Sequence, residues 1–204
     1  MSLTGTAPLR SERLSLRPWR GDDAPVMQAL CQDDAIRHWA GLPDFSDLDD
    51  VRTYIDVGLG AQMASGTGIA FAIEIRSTGA IAGSIGLYRI RRRTAICAAS
   101  AMAGMWVGSE HRRQGIATEA LRTAAFWAFV GLRLDRIVSF YLAGNAATRR
   151  VNERVGFTGG ALMRSAGIHA GRPADMRFDD LVPADLGLDF EEHGTTTVDR
   201  LAAP

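Results

Sequence analysis

The chain has 204 residues, 47% of them hydrophobic, with 23 basic and 23 acidic side chains and therefore no formal net charge. That length supports one domain with a sizeable core, and a neutral chain is not held to nucleic acid by bulk electrostatics. No apolar run reaches the ~20 residues that span a bilayer, and the first thirty residues hold no signal-peptide core, so a cytoplasmic protein with neither a nucleic-acid nor a membrane partner is expected.

The elements alternate along the chain. Residues 1–10 read as a flexible N-terminal segment. Leu14 and Leu16 alternate with polar residues as in a half-buried strand that Pro18 ends. Asp22 and Asp23 are placed to cap a helix running to about Cys31. Ser46 with Asp49 resembles a capping box, and Val51, Tyr54, Ile55, Leu59 and Met63 follow at helical spacing. Ile69 to Arg76 and Ala80 to Ile90 read as strands joined around Thr78-Gly79. The basic run Arg89, Arg91, Arg92 and Arg93 then reads as a solvated hairpin. Cys97 to Val107 suits a buried strand, Ile116 to Val130 a helix stopped at Gly131, Arg136 to Leu142 a strand, and Ala146 to Val155 a helix ending at Gly156. Two last strands fit Thr158 to Ala166 and Ala174 to Leu181, and residues 187–204 read as a flexible C-terminal tail.

Two compositional features remove whole chemistries. All 23 basic residues are arginine, so no lysine is present to form a Schiff base. The only cysteines, Cys31 and Cys97, lie in apolar segments and are expected to be buried and inert; their spacing suits neither a disulfide framework nor a metal site.

The segment with chemistry written into it is Arg112-Arg113-Gln114-Gly115-Ile116-Ala117, which joins a strand to the start of a helix. Backbone N–H groups at such a junction turn toward one point and form an anion cradle that suits a pyrophosphate. Gly115 lets the backbone approach a ligand and Ala117 keeps the first turn small. Arg112 and Arg113 would add charge-assisted bonds. A P-loop is excluded, since its Gly-Lys-Ser/Thr end is missing.

This loop resembles the acyl-coenzyme A signature of the GNAT acetyltransferase superfamily. Ser11 to Arg20, Ile81-Ala82-Gly83-Ser84-Ile85-Gly86-Leu87 and Asn145 to Phe157 are similar, in order, to segments of the branch that contains the ribosomal-protein N-acetyltransferases of RimJ/RimL type. The resemblance covers residues 11–186 and implies one α+β domain of GNAT fold. Its sheet would be mixed and mostly antiparallel, of about seven strands, splayed at the acyl-CoA slot with helices on both faces.

It further implies an acetyl-CoA-dependent N-acetyltransferase that passes the acetyl group directly to a primary amine, either a protein N-terminus or a small molecule. By similarity, the turn Arg112, Arg113, Gln114, Gly115, Ile116, Ala117 and Thr118 would bind the diphosphate. Backbone groups of Met105 and Val107 would bind the pantetheine arm and polarise the thioester carbonyl, and Asn145 would hydrogen-bond the pantetheine. The Thr148 hydroxyl, standing where relatives carry Ser, would serve the departing sulfur. His38 and Trp39 would border the acceptor amine. Many relatives carry an acidic residue at the position of Met102, which cannot take a proton; Glu74, His38, His111, Glu110 or a water chain are left to do so, or the amine arrives already neutral. The alternative is a non-catalytic acyl-CoA-binding module. No metal is implied, and a homodimer is compatible.

Overall fold

A computed structural model describes residues 2–189. Eight strands form one sheet in the order β1-β2-β3-β4-β5-β6-β8-β7. They are β1 (Leu9–Arg10), β2 (Leu14–Pro18), β3 (Ile69–Ile75), β4 (Ile81–Arg91), β5 (Ser100–Val107), β6 (Arg136–Leu142), β7 (Thr158–His169) and β8 (Arg172–Leu181). The helices are α1 (Ala24–Leu30), α2 (Asp34–Trp39), α3 (Leu48–Thr53), α4 (Gly60–Ser65), α5 (Ile116–Val130) and α6 (Ala146–Val155), with a π-helical turn (Tyr54–Leu59) linking α3 to α4. All strand pairs are antiparallel except β5 with β6.

β3 shows how the two faces are divided. Ile69, Phe71 and Ile73 pack in the cluster that contains α5, whereas Ala70 and Ala72 pack in a second cluster with Trp19, Met27, Val51 and Ile55. The strand period of two sends alternate side chains to opposite faces. On the first face, Ala120, Ala124, Ala125 and Ala128 are all 0% exposed, so α5 lies close to the sheet and a larger side chain there would overpack the interface. Phe129 and Leu121 supply its bulk, each worth about 1.5–3 kcal/mol of burial.

Several expectations shift. The extra strand is β1, and the N-terminal segment is anchored: Leu3 is buried, its N–H donates to Met63 O at 2.8 Å, and Leu9–Arg10 pairs with β2. A buried leucine gives residues 2–10 a fixed place, and their polar composition concealed it. The expected tail 187–204 lies almost wholly outside the described residues. The cap of α3 is Asp47, whose carboxylate accepts from Asp50 N; the Ser46 N–H instead donates to the Asp50 side chain. Asp23 does not cap α1 through its side chain; its carboxylate accepts from Arg17 at 2.7 and 2.9 Å and from Arg20 N, at the start of the single turn before that helix. Cys97 is exposed, in the turn before β5, while Cys31 is buried and burial pushes its thiol up to about 11. α2 was not expected, since six residues are too few to show a period.

Among the described residues no helix is long and apolar enough to cross a membrane.

Candidate active site

The parallel pairing of β5 with β6 runs from Ser100↔Arg136 to Ala103↔Ser139 and stops there. From Gly104 to Val107, β5 keeps β4 as its only strand partner. The two strands thus part in the middle of the sheet. Gly108 N donates to Ala82 O at 2.9 Å, one position beyond the Val107↔Gly83 pair. That bond marks Val107↔Gly83 as a non-hydrogen-bonded pair, and the alternation of an antiparallel ladder makes Met105↔Ile85 another. The N–H and C=O of Met105 and Val107 therefore turn away from β4 and into the opening. The Val107 carbonyl is already taken by Arg112 Nε at 2.9 Å.

On one side of the opening lies a cavity of about 280 Å³, lined by Met105 and Val107 of β5, the turn before α5, and Thr148 and Val151 of α6. Among the described residues, the amides from Arg113 to Thr118 have no hydrogen-bond acceptor; the first one bonded is that of Glu119, to Gly115 O at 3.0 Å. Arg113 and Gly115 adopt positive φ, 61° and 78°, and this left-handed turn aims the free amides at the cavity. A Cβ on Gly115 would sit 3.4 Å from Arg13 Nη2, besides the strain of its φ. Helix-start amides without partners beside an open cavity suit a diphosphate.

Side chains hold this turn from behind. Arg13 donates to Gln114 O at 3.0 Å and pairs with Glu119, which also accepts from Ser11. Burial works against the Glu119 carboxylate, but bonds from Arg13 N, Ser11 and the Arg13 guanidinium outweigh it and hold its pKa below the usual value. Two expectations need correction here. Arg112 does not offer its guanidinium to the cavity alone: Nη2 pairs with Asp33 Oδ1 at 2.7 Å while Nε holds Val107 O. Gln114 faces away, its Nε2 donating to Glu110 O at 2.8 Å, so only its backbone belongs to the cradle. Ile116, Ala117, Thr118 and Arg113 do line the cavity. Arg150 and Arg154 of α6 line it too; their i, i+4 spacing was a legible signal of a shared face.

Across the opening, a second cavity of about 220 Å³ is lined by His38 and Trp39 of α2, Tyr141 of β6, Asn145, Thr148 and His169 of β7, among others. Met105 and Thr148 line both cavities. Asn145 is buried and caps α6, its Oδ1 accepting from Thr148 N at 3.0 Å; the Thr148 hydroxyl has no partner among the described residues. His38 stacks edge-on with Trp39 and His169, ring centroids 4.3 and 4.5 Å apart. Tyr141 donates to Asp179 Oδ2 at 2.7 Å, and Asn152 donates to the same oxygen at 2.9 Å. Burial, then the bond to Asp179 and its charge, push the Tyr141 phenol up, so its proton is committed.

Of the groups left to act as base, Glu74 is paired with Arg17 at 2.9 Å and lines neither cavity. Glu110 lines neither, His111 lines the first, and His38 lines the second. Met102 lines neither. His169, missed in the sequence, came from a hairpin with no local motif. Among the described residues no group of three or more His, Cys, Asp or Glu could hold a metal.

Comparison with known proteins agrees with this geometry. A family profile described as an acetyltransferase (GNAT) domain matches residues 13–158. An uncharacterized N-acetyltransferase of Bacillus subtilis, YoaA, is 26% identical over 174 residues, 85% of this chain and 96% of that protein. Mycobacterium smegmatis RimJ, in complex with a CoA disulfide, superposes with a TM-score of 0.74 at 26% identity, covering 88% of each chain. RimL, a ribosomal alpha-N-protein acetyltransferase in complex with coenzyme A, superposes with a TM-score of 0.76 at 18% identity, over 86% of this chain and 97% of that one; this likeness shows the fold alone.

Proposed function

Because the chain belongs to the acetyltransferase (GNAT) family, we propose that this N-acetyltransferase moves the acetyl group of acetyl-CoA directly onto the α-amino group of a protein or peptide N-terminus. The observation that carries this is the meeting of the two cavities at Met105 and Thr148, where β5 and β6 part. Acetyl-CoA, when bound, supplies the acetyl group as an activated thioester. The free amides of residues 113–118 would hold its diphosphate, with Arg113 alongside. The Met105 N–H, freed from the ladder, is placed to polarise a carbonyl in the opening. Asn145, fixed by its cap, would orient the pantetheine arm. Thr148 lines both cavities, and its hydroxyl would donate to the departing sulfur.

The acceptor class follows from charge. No Asp or Glu lines the second cavity, so nothing there pairs with the several ammonium groups of a polyamine. An α-amine also has a pKa of about 7.7–8.0 against about 10.4 for an alkylamine, so far more of it is neutral near pH 7. RimL, which shares this fold, is described as an alpha-N-protein acetyltransferase. A thiol-release assay with acetyl-CoA against N-terminal peptides, polyamines and aminoglycosides tests the reading: turnover is expected on peptides with a free α-amine. Coenzyme A binding without thiol release from any acceptor would instead mark a binding module.

A further inference from the structure

The second cavity offers no carboxylate to take the proton of an ammonium. Met102 lies outside its lining as well. Tyr141 has its hydroxyl proton engaged with Asp179. Ser139 is a buried hydroxyl, and Thr148 is needed at the sulfur. What stands in the lining is a pair of imidazoles brought together from distant parts of the chain: His38 at the end of α2 and His169 at the end of β7, ring centroids 4.5 Å apart and nearly perpendicular.

We propose that the His38–His169 pair is the proton acceptor for the amine, which rests on the reading of the second cavity as the acceptor side. In this step the ammonium N–H bond breaks with its electron pair left on nitrogen. A neutral imidazole nitrogen binds the proton and becomes imidazolium, and the proton then passes to solvent. The nitrogen lone pair so freed is the nucleophile.

The surroundings suit this role. His38 is exposed and His169 half-buried, so a proton has a path outward. No carboxylate of the cavity lining stands beside the pair. Arg37, beside His38, is turned to Asp34 at 2.6 Å. Arg172 stands opposite His169 in the β7–β8 register and adds a further positive charge. Asp175 spends one carboxylate oxygen on Ser165 N, and Asp179 lies buried beneath Tyr141. On its other flank His38 meets the Trp39 ring. Imidazole is the side chain whose ordinary pKa lies nearest neutrality, which lets it accept a proton and release it again at that pH.

The test uses the full-length enzyme, a panel of peptides with free α-amines, and the variants His38→Asn, His169→Asn and the double substitution. The proposal expects kcat/KM of the double variant to fall about 100-fold at pH 7. That deficit should shrink to within about fivefold near pH 9.5, where an α-amine has already lost its proton to water. Added imidazole should restore part of the rate at pH 7. Coenzyme A affinity by calorimetry should stay within about twofold of the parent, which shows that the variants fold. A loss of the same size at every pH would mean that the two rings only shape the cavity, and would overturn the proposal while leaving the transferase reading intact. Unchanged kcat/KM at pH 7 would do the same. An unmodified enzyme that turns over no peptide would overturn both.

Discussion

The two cavities that meet at Met105 and Thr148 are built from different materials. The first is made by backbone: six amides left without acceptors where a left-handed turn runs into α5. The second is made by side chains from α2, β6, the α6 cap and the β7–β8 hairpin, spread between positions 38 and 176 of the sequence. A backbone site binds one chemical pattern, and the side chains around it can drift without spoiling it. A side-chain site has to be assembled, and its specificity changes with each loop. One half of the molecule therefore speaks for the family and the other for the individual substrate.

The sharpest way to break this contrast is Gly115→Asp, which forces a side chain and a negative charge into a position with φ 78°. The acetyl-CoA dissociation constant, measured by calorimetry, should rise at least about tenfold; an unchanged value would remove the turn from the binding site. Thr148→Ala comes next, because this residue belongs to both halves. Turnover should fall about tenfold with little change in cofactor affinity, and an unaltered kcat with chemistry rate-limiting would take the hydroxyl out of the reaction.

A smaller effect is expected at the tie between the halves. Asp33 caps α2 through Ala35 N and Ile36 N and also holds Arg112 of the cradle turn, so Asp33→Ala should cost about 1–2 kcal/mol of stability in urea denaturation. It should also raise the acceptor KM more than the cofactor dissociation constant, since α2 carries His38 and Trp39. Equal changes in both would show that the tie transmits nothing to the acceptor side.

The smallest effect is in acid. Burial opposes ionisation of Asp33, but Arg112 and the two capping amides hold its pKa below the usual carboxylate value; Arg17 and Arg20 N do the same for the more buried Asp23. With the folded pKa depressed, each contributes stability that is present above its unfolded pKa near 3.8 and is lost as pH falls through the folded value. Urea midpoints should decline below about pH 4, and Asp23→Asn should flatten that decline. A midpoint independent of pH in this range would count against the Arg17–Asp23 pairing.

What could be read from the sequence follows the same division. α5 and α6 carry long runs of helical period with glycine beyond them, and β6 is bounded by polar turns; their limits coincide with those seen. The cradle was legible for the same reason, since a strand, a glycine-bearing turn and a helix start are consecutive in the chain. The role of Arg112 was not legible, because an arginine beside a phosphate site reads as a phosphate ligand until Asp33, 79 residues earlier, is found against it. Gly131 stops α5 as expected, yet with right-handed φ of −84° and no αL cap.

The sequence by itself therefore determined the order of the elements, the family and the backbone cradle, all of which rest on interactions between near neighbours in the chain. Tertiary structure alone decided where β5 and β6 part, that Leu3 is buried, that Cys97 is exposed, and that His169 comes to lie beside His38. These depend on pairings between segments far apart in sequence, and side chains drawn together by the packing of a sheet and its hairpins leave no periodic trace in any one segment.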